Sequence, residues 1–381
     1  MRTSNALRLG KLGIGAMLIA CVFALPLSAQ NARIIGSGAQ FQWFSFSEEL
    51  GADVANLTVI PVTYILPMGE KVRADLYTAW ATGSVEKGGF TYNKSGPTDT
   101  RVRLSYQATP WAILTVGVNI PTGNSADTNE EAIVTSVLAT DMLGFREATW
   151  GTGLGITGGI ATARQMGDWG VGLGASYRQS SEFEPTDGED LKYQPGNEAR
   201  VRLGLDRNVG EGGKFTAGVT ILNYSQDQVD GQNLFQAGNR IRVDASYAFR
   251  SGASTWSLFA ADSWRANGDL TLDVVDAGGA VVGDSLIVVG GQNLFISGLR
   301  GSVPFAGVRI RPELDFRLQT REDADGGGWL AGGGFDLPLR LFATYDVFPR
   351  FRFSYGQMDA ATGESYSFMG GEAGITIILR H

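Results

Sequence analysis

The side chains with the greatest chemical reach in this chain are arginines that share one parity of extended segments, with apolar residues between them. Arg101 and Arg103, Arg200 and Arg202, Arg240 and Arg242, and Arg309, Arg311 and Arg317 all follow this spacing. Glu198, Asp206, Asp244, Glu313 and Asp315 fall on the same parity. Residues two apart in a strand point to the same side, so nine guanidiniums and five carboxylates would share one face. Guanidinium planes chelate carboxylates and stack on aromatic rings. A face of this kind would therefore meet anions and aromatic solutes. The pair Glu313 and Asp315 could serve acid–base chemistry, but its arginine neighbours make charge balance the better reading.

Other catalytic equipment is sparse. A serine mechanism needs a base poised near neutral pH, usually histidine, and the single histidine is His381 at the end of the sequence. The single cysteine is Cys21. No His-based metal site can be assembled, so no enzyme, cofactor or metal centre is expected. Gly153-Leu154-Gly155-Ile156-Thr157-Gly158 spells a dinucleotide fingerprint, yet that motif requires a strand before it and a helix after it. Gly159-Ile160-Ala161-Thr162 and a further glycine-alternating stretch follow instead. Asp187-Gly188-Glu189-Asp190 and Glu322-Asp323-Ala324-Asp325-Gly326 have oxygens suited to hard cations, but read better as solvated loops.

The first residues carry a separate message. Arg2, Arg8 and Lys11 precede an apolar run from Leu12 to Leu27, and Leu27-Ser28-Ala29-Gln30 resembles a cleavage site. Residues 1–29 are thus expected to be a signal peptide, leaving 30–381 as one domain. Leu18-Ile19-Ala20-Cys21 also resembles a lipobox, which would make Cys21 the acylated first residue, although Val22-Phe23-Ala24-Leu25 continues apolar. Cleavage after Ala29 would leave 28 Lys and Arg against 39 Asp and Glu, a net charge near −11. So acidic a chain is a poor partner for nucleic acid.

The elements that must position the arginines are strands. Arg101 to Ala108, Glu198 to Asp206, Arg240 to Tyr247 and Val308 to Gln319 alternate polar with apolar residues over about ten positions. Between them, Trp169, Val171, Leu173, Ala175 and Tyr177 alternate with Gly170, Gly172, Gly174 and Ser176. Phe215 to Ile221 repeats that design. Long arginines laid across bare backbone suit an enclosed polar lumen. Connections alternate in length. Thr109-Pro110, residues 165–167, 209–212, 251–253 and 304–306 are tight, whereas 83–97, 122–149, 182–195, 226–237 and 266–291 are long. That asymmetry marks an outer-membrane barrel with short periplasmic turns and long extracellular loops. Trp80, Trp111, Trp169, Trp256, Trp264, Tyr106, Tyr177, Tyr247 and Phe249 would supply the aromatic girdles.

The fold expected is therefore all-β, an antiparallel transmembrane β-barrel. Strands begin near Leu57, Val72, Thr100, Trp111, Thr152, Asp168, Asn197, Lys214, Asn239, Thr255, Asn293, Gly307, Trp329, Phe351 and Tyr366. Parity calls for one more, and residues 33–47 are the candidate, giving about 16 strands. Fourteen is the alternative if residues 33–49 form a plug.

Several stretches resemble one barrel family. Leu57-Thr58-Val59-Ile60-Pro61-Val62-Thr63-Tyr64 leads into the strand at Val72. Gly96-Pro97-Thr98-Asp99-Thr100-Arg101-Val102 and Val118-Asn119-Ile120-Pro121-Thr122-Gly123 follow. This order, mainly within residues 35–180, resembles the outer-membrane transporter family linked to the meta-pathway of phenol degradation, distantly related to the long-chain fatty-acid transporters. The resemblance implies a barrel that admits small, aromatic or apolar compounds, and it implies no particular binding residue. At the other end, Glu372, Gly374, Ile377 and Leu379 resemble the terminal-strand signal read by the barrel-assembly machinery, except that the chain runs on to Arg380-His381.

These readings lead to an outer-membrane channel whose partners are lipid, the assembly machinery and small solutes. Its lumen would be lined by the nine arginines and five acids. The rival expectation is a structural barrel, its lumen filled by paired charges and its long loops carrying the function. An open lumen conducts ions and a filled one does not.

Overall fold

The computed structural model describes residues 33–47, 50–275, 281–322, 327–342, 344–360 and 363–380. Residues 1–29, expected as a signal peptide, with Cys21, the acidic stretch 323–326 and His381 lie outside the described residues.

Chain order begins with β1 (Ile34–Phe46), β2 (Val54–Met68), β3 (Val72–Lys87), β4 (Phe90–Pro97), β5 (Thr100–Thr109) and β6 (Ala112–Ile120), then helix α1 (Asn129–Leu138). It continues with β7 (Gly155–Met166), β8 (Trp169–Ser180), β9 (Tyr193–Gln194), β10 (Glu198–Val209), β11 (Gly213–Tyr224), β12 (Asp227–Val229) and β13 (Gln232–Gln236). After these come β14 (Arg240–Ser251), β15 (Ser254–Arg265), β16 (Gly268–Val275), β17 (Val281–Val289), β18 (Gln292–Phe305) and β19 (Val308–Arg321). The last are β20 (Gly328–Asp336), β21 (Leu339–Phe342), β22 (Tyr345–Asp359) and β23 (Ser365–Arg380).

Two pairs of segments act as single staves. β4 and β5 succeed each other along β3, and β20 and β21 along β22. Neighbours pair antiparallel around the ring, and β1 closes on β23 from Ile34↔Arg380 to Phe46↔Phe368. The result is a closed barrel of 16 strands. Residues 34–46 are wall and not plug, because every residue of β1 pairs with β23 and most also pair with β2.

Closure pairs each stave of the ring on both sides, and the apolar parity then turns outward. Val201, Val243, Leu258, Leu314 and Phe353 are exposed on that outer face. A closed barrel with such a face spans lipid, since its backbone is satisfied internally. Among the described residues no helix is long and apolar enough to cross a membrane. The tight turns sit at one rim, where Gly167 and Gly252 take positive φ (61° and 59°) that other residues rarely adopt.

Inside, bare backbone accommodates long side chains. A Cβ at Gly218 would fall on the Arg202 guanidinium, one at Gly332 on Arg352, and one at Gly170 on the Asp206 carboxylate. The glycine alternation is thus the complement of the charged alternation on the neighbouring strand.

The longer connections depart from the sequence reading. Residues 83–97, expected as a long loop, form a hairpin in which β3 and β4 continue in register from Trp80↔Pro97 to Lys87↔Phe90. Residues 122–149, expected outside, fold into the barrel. Parts of three further loops build a second sheet in the order β17-β16-β13-β12-β9 at the long-loop rim. There the Tyr193 hydroxyl donates to Asp227 Oδ2 at 2.5 Å. Burial, and then the Asp227 carboxylate, push that phenol above its ordinary pKa.

Candidate functional site

The infolded loop, residues 121–154, shapes the lumen. Its helix α1 starts where Thr128 and Glu131 form a capping box: Glu131 N–H donates to Thr128 Oγ1 at 3.2 Å, and Thr128 N–H donates to Glu131 Oε2 at 3.1 Å. Val134 and Leu138, one turn apart, bury themselves against the inner wall. Met142, Leu143, Phe145 and Trp150 join them in a cluster with Leu57, Ala81 and Phe368. The Trp150 indole N–H donates to the Ala81 carbonyl at 3.0 Å.

Polar anchors fix the loop at its base. The Asp99 carboxylate accepts from Gly123 N–H at 3.1 Å, Thr152 N–H at 2.7 Å and Asn119 Nδ2 at 2.8 Å. Asp99 is 4% exposed. A Cβ on Gly123 would collide with the Trp150 carbonyl, so only glycine permits this crossing. Lys94, nearly buried, pairs with Asp127, and its ammonium lies 4.9 Å over the Trp150 ring.

The rest of the loop follows the inner wall and touches it with charge at successive strands. Asp141 faces Arg240 at 3.9 Å, and Gln292 Nε2 donates to it at 3.2 Å. Arg317 donates to the Met142 carbonyl at 3.0 Å. Arg146 pairs with Glu372 at 2.8 Å. Glu147 accepts from the Tyr77 hydroxyl and pairs with Arg101 at 3.7 Å.

Open volume remains between this loop and the wall. A cavity of about 870 Å³ is lined by Asp75, Arg101, Arg103, Asn119, Glu147 and Arg178, among others. A second, of about 590 Å³, includes Arg200, Arg202, Arg242, Asp244, Phe259 and Arg300. A third, of about 450 Å³, shares Arg242, Phe259, Ala261 and Arg300 with the second and adds Arg317, Arg350 and Arg352.

Register sets the arginines in rows around this wall. Arg200 pairs with Leu222, Leu222 with Arg240, and Arg240 with Arg265. One step along the strands, Arg202 pairs with Thr220 and Thr220 with Arg242. Arg202 grips Asp244 with both nitrogens, at 2.7 and 2.8 Å. Arg178 and Arg242 form no ion pair with any described carboxylate within 4.0 Å, so the wall keeps uncompensated positive charge. Arg300 lies 4.7 Å over the Phe259 ring, which places an aromatic face beside the guanidiniums.

No family model matches the chain, and no curated protein matches it. Among solved structures it is similar to CymD, a monoaromatic hydrocarbon channel, at 10% identity over 90% of this chain and 87% of that one, with a TM-score of 0.41. It is also similar to an outer-membrane channel from Pseudomonas putida F1, at 11% identity over 94% and 97%, with a TM-score of 0.36. An anion-selective porin from Comamonas acidovorans matches at 13% identity over 92% and 99%, with a TM-score of 0.40.

The residues singled out from sequence fall into three groups. Arg101, Arg103, Arg200, Arg202, Arg240, Arg242, Asp244, Arg311, Glu313, Asp315 and Arg317 line the cavities. Glu198 pairs with Arg200 at 2.8 Å, while Asp206 pairs with Lys214 at 3.2 Å beside a tight turn. Arg309 lies beside another turn, donating to Ser302 at 3.3 Å, and lines none of these cavities. Of the terminal-strand motif, Glu372 and Gly374 line a cavity, Ile377 is exposed with the apolar parity, and Leu379 is buried.

Sequence reasoning passed over Asp75, Arg178, Arg300, Arg350 and Arg352, each isolated or set in a strand whose alternation glycine interrupts. It also missed Asp141, Arg146 and Glu147 on the infolded loop. One signal for that loop was present. Ala55, Leu57 and Val59 are apolar on the parity that should face water, and Ile60 is apolar on the other. A strand apolar on both faces is covered on both faces.

Proposed function

We propose that this protein is an outer-membrane channel that passes small solutes and favours anionic and aromatic ones. The observation that carries the reading is the set of cavities left between the infolded loop and a wall with uncompensated arginines at Arg178 and Arg242. One cluster of acids lies away from these arginines, in the segment Glu182, Glu184, Asp187, Glu189 and Asp190. Charge clusters in a low-dielectric wall bias permeation toward counter-ions. Phe259 and the guanidinium planes add a stacking surface for flat rings. A link to the phenol meta-pathway transporters belongs to the same proposal. The motifs that suggested it, around Asp99 and Asn119–Gly123, build the base of the infolded loop.

The test is a planar-bilayer recording of the full barrel across a salt gradient. The expected reversal potential favours chloride, with a preference that shrinks as salt rises. A cation-selective current would overturn the anion preference. Absence of current would favour the structural barrel, for which the apolar cluster around Trp150 is the supporting observation, since it fills one side of the lumen.

A further inference from the structure

We propose that Asp141, carried inward by the infolded loop, is a tethered occupant of a carboxylate-binding site in the barrel wall, and that permeating organic carboxylates compete with it. The ligand class rests on the channel reading above.

The wall at this point is unusual in its charge. Arg240 and Arg265 are direct cross-strand partners, an arrangement of like charges that is unfavourable unless an anion lies between or beside them. Arg242 joins them around a cavity of about 210 Å³, with Ser263 and Gln292 as further polar groups. Among the described residues, Asp141 is the only carboxylate lining it.

The fit of that carboxylate is poor. Asp141 stands 3.9 Å from Arg240, with a side chain 44% exposed, and its one short contact is the 3.2 Å bond from Gln292 Nε2. Gln292 is itself turned by Arg265, which donates to its Oε1 at 3.0 Å. The pieces therefore form a chain, Arg265 to Gln292 to Asp141, with Arg240 flanking. Arg242 has no carboxylate partner among the described residues. A free carboxylate, unconstrained by a loop, could meet a guanidinium fork with both oxygens, the stronger geometry. Asp141 is tethered and does not.

Size and access indicate what would compete. The cavity is smaller than the roughly 300 Å³ at which drug-sized sites begin, which suits a compact acid. It shares Arg240, Arg242, Ala261 and Ser263 with the 590 Å³ cavity, so it is open to the lumen. Phe259 lines the adjoining 590 Å³ cavity, a surface for the aromatic body of a ligand whose carboxylate sits among the arginines. A small monocarboxylate such as benzoate has both features.

The experiment titrates benzoate, and separately neutral benzamide, onto the detergent-solubilised full barrel and its Asp141→Asn and Arg242→Gln variants. Removing a weak, half-exposed competing ion pair should tighten benzoate binding about threefold in Asp141→Asn, and Arg242→Gln should weaken it. Benzamide binding should be the same in wild type and Asp141→Asn. Benzoate affinity unchanged or weakened in Asp141→Asn would overturn the proposal. So would equal tightening of benzamide, because the substitution would then merely have widened the cavity. Bilayer recordings of the same proteins separate this site from the channel reading. A barrel that binds benzoate as expected but carries no current retains the site and loses the channel. An anion-preferring current with no benzoate response in any variant loses the site and retains the channel.

Discussion

The carboxylate of Asp99 receives the backbone amide of Thr152 at 2.7 Å, tying the start of one wall strand to a loop residue 53 positions later. The same carboxylate accepts from Gly123 at 3.1 Å, where the loop departs. One buried side chain therefore holds both ends of the segment that partitions the lumen, and several consequences can be measured.

Asp99→Ala should release the infolded loop without unfolding the barrel. Amides left without acceptors cost roughly 1–3 kcal/mol each, a penalty that falls on the loop base and not on the ladder of strand pairs. Single-channel current should become larger and noisier, while heat-modifiable gel migration is retained. Wild-type current would show that the apolar cluster alone fixes the loop.

The Lys94–Asp127 pair should behave as a buried ion pair does. Lys94→Met or Asp127→Asn alone strands one charge or polar group and should cost about 3–5 kcal/mol. The double variant Lys94→Met, Asp127→Leu should recover most of that loss. Urea unfolding midpoints of the two singles and the double decide it, and additive losses would argue against coupling.

Facing can be tested by charge placement. Val201→Arg and Val243→Arg put a cation on the outer parity, where Val201 and Val243 are 48% and 50% exposed. Near the membrane midplane each should cost about 2–4 kcal/mol. Arg202→Ala, on the inner parity, should cost markedly less in the same lipid-vesicle unfolding assay. Equal costs would contradict the assignment of faces.

Arg200 and Arg202 can be tested for function together. Replacing both with Ser frees Glu198 and Asp244, their partners at 2.8 and 2.7 Å. The wall then loses two positive charges and exposes two negative ones. Anion preference should fall and conductance should rise, most visibly at low salt. Unchanged selectivity would mean that these arginines are neutralised wall partners.

Location is the simplest check. The protein should fractionate with the outer membrane and migrate differently on a gel before and after boiling. Recovery as a soluble periplasmic species would contradict a lipid-facing outer surface.

The barrel was legible because alternation is a local property. Arg200-Val201-Arg202-Leu203 declares two faces without reference to any other strand, and the spacing of such segments declares short and long connections. The segment at residues 83–97 looks like a loop by sequence because Gly83, Gly88, Gly89 and Gly96 weaken the alternation; only pairing across β3 and β4 shows it to be strand.

The chain by itself therefore determined the fold class, the two faces of most strands and the arginine supply of one of them, since each depends on period two and on residue type. The tertiary structure alone decided which arginines remain uncompensated and what the loop at 121–154 does. Pairing of Arg202 with Asp244, or of Arg146 with Glu372, depends on register and on closure, and these bring together residues 42 and 226 positions apart. The same holds for Asp141. Its sequence neighbourhood is an ordinary helix end, and its place among Arg240, Arg265 and Gln292 exists only because the loop folds into the barrel and crosses to those strands.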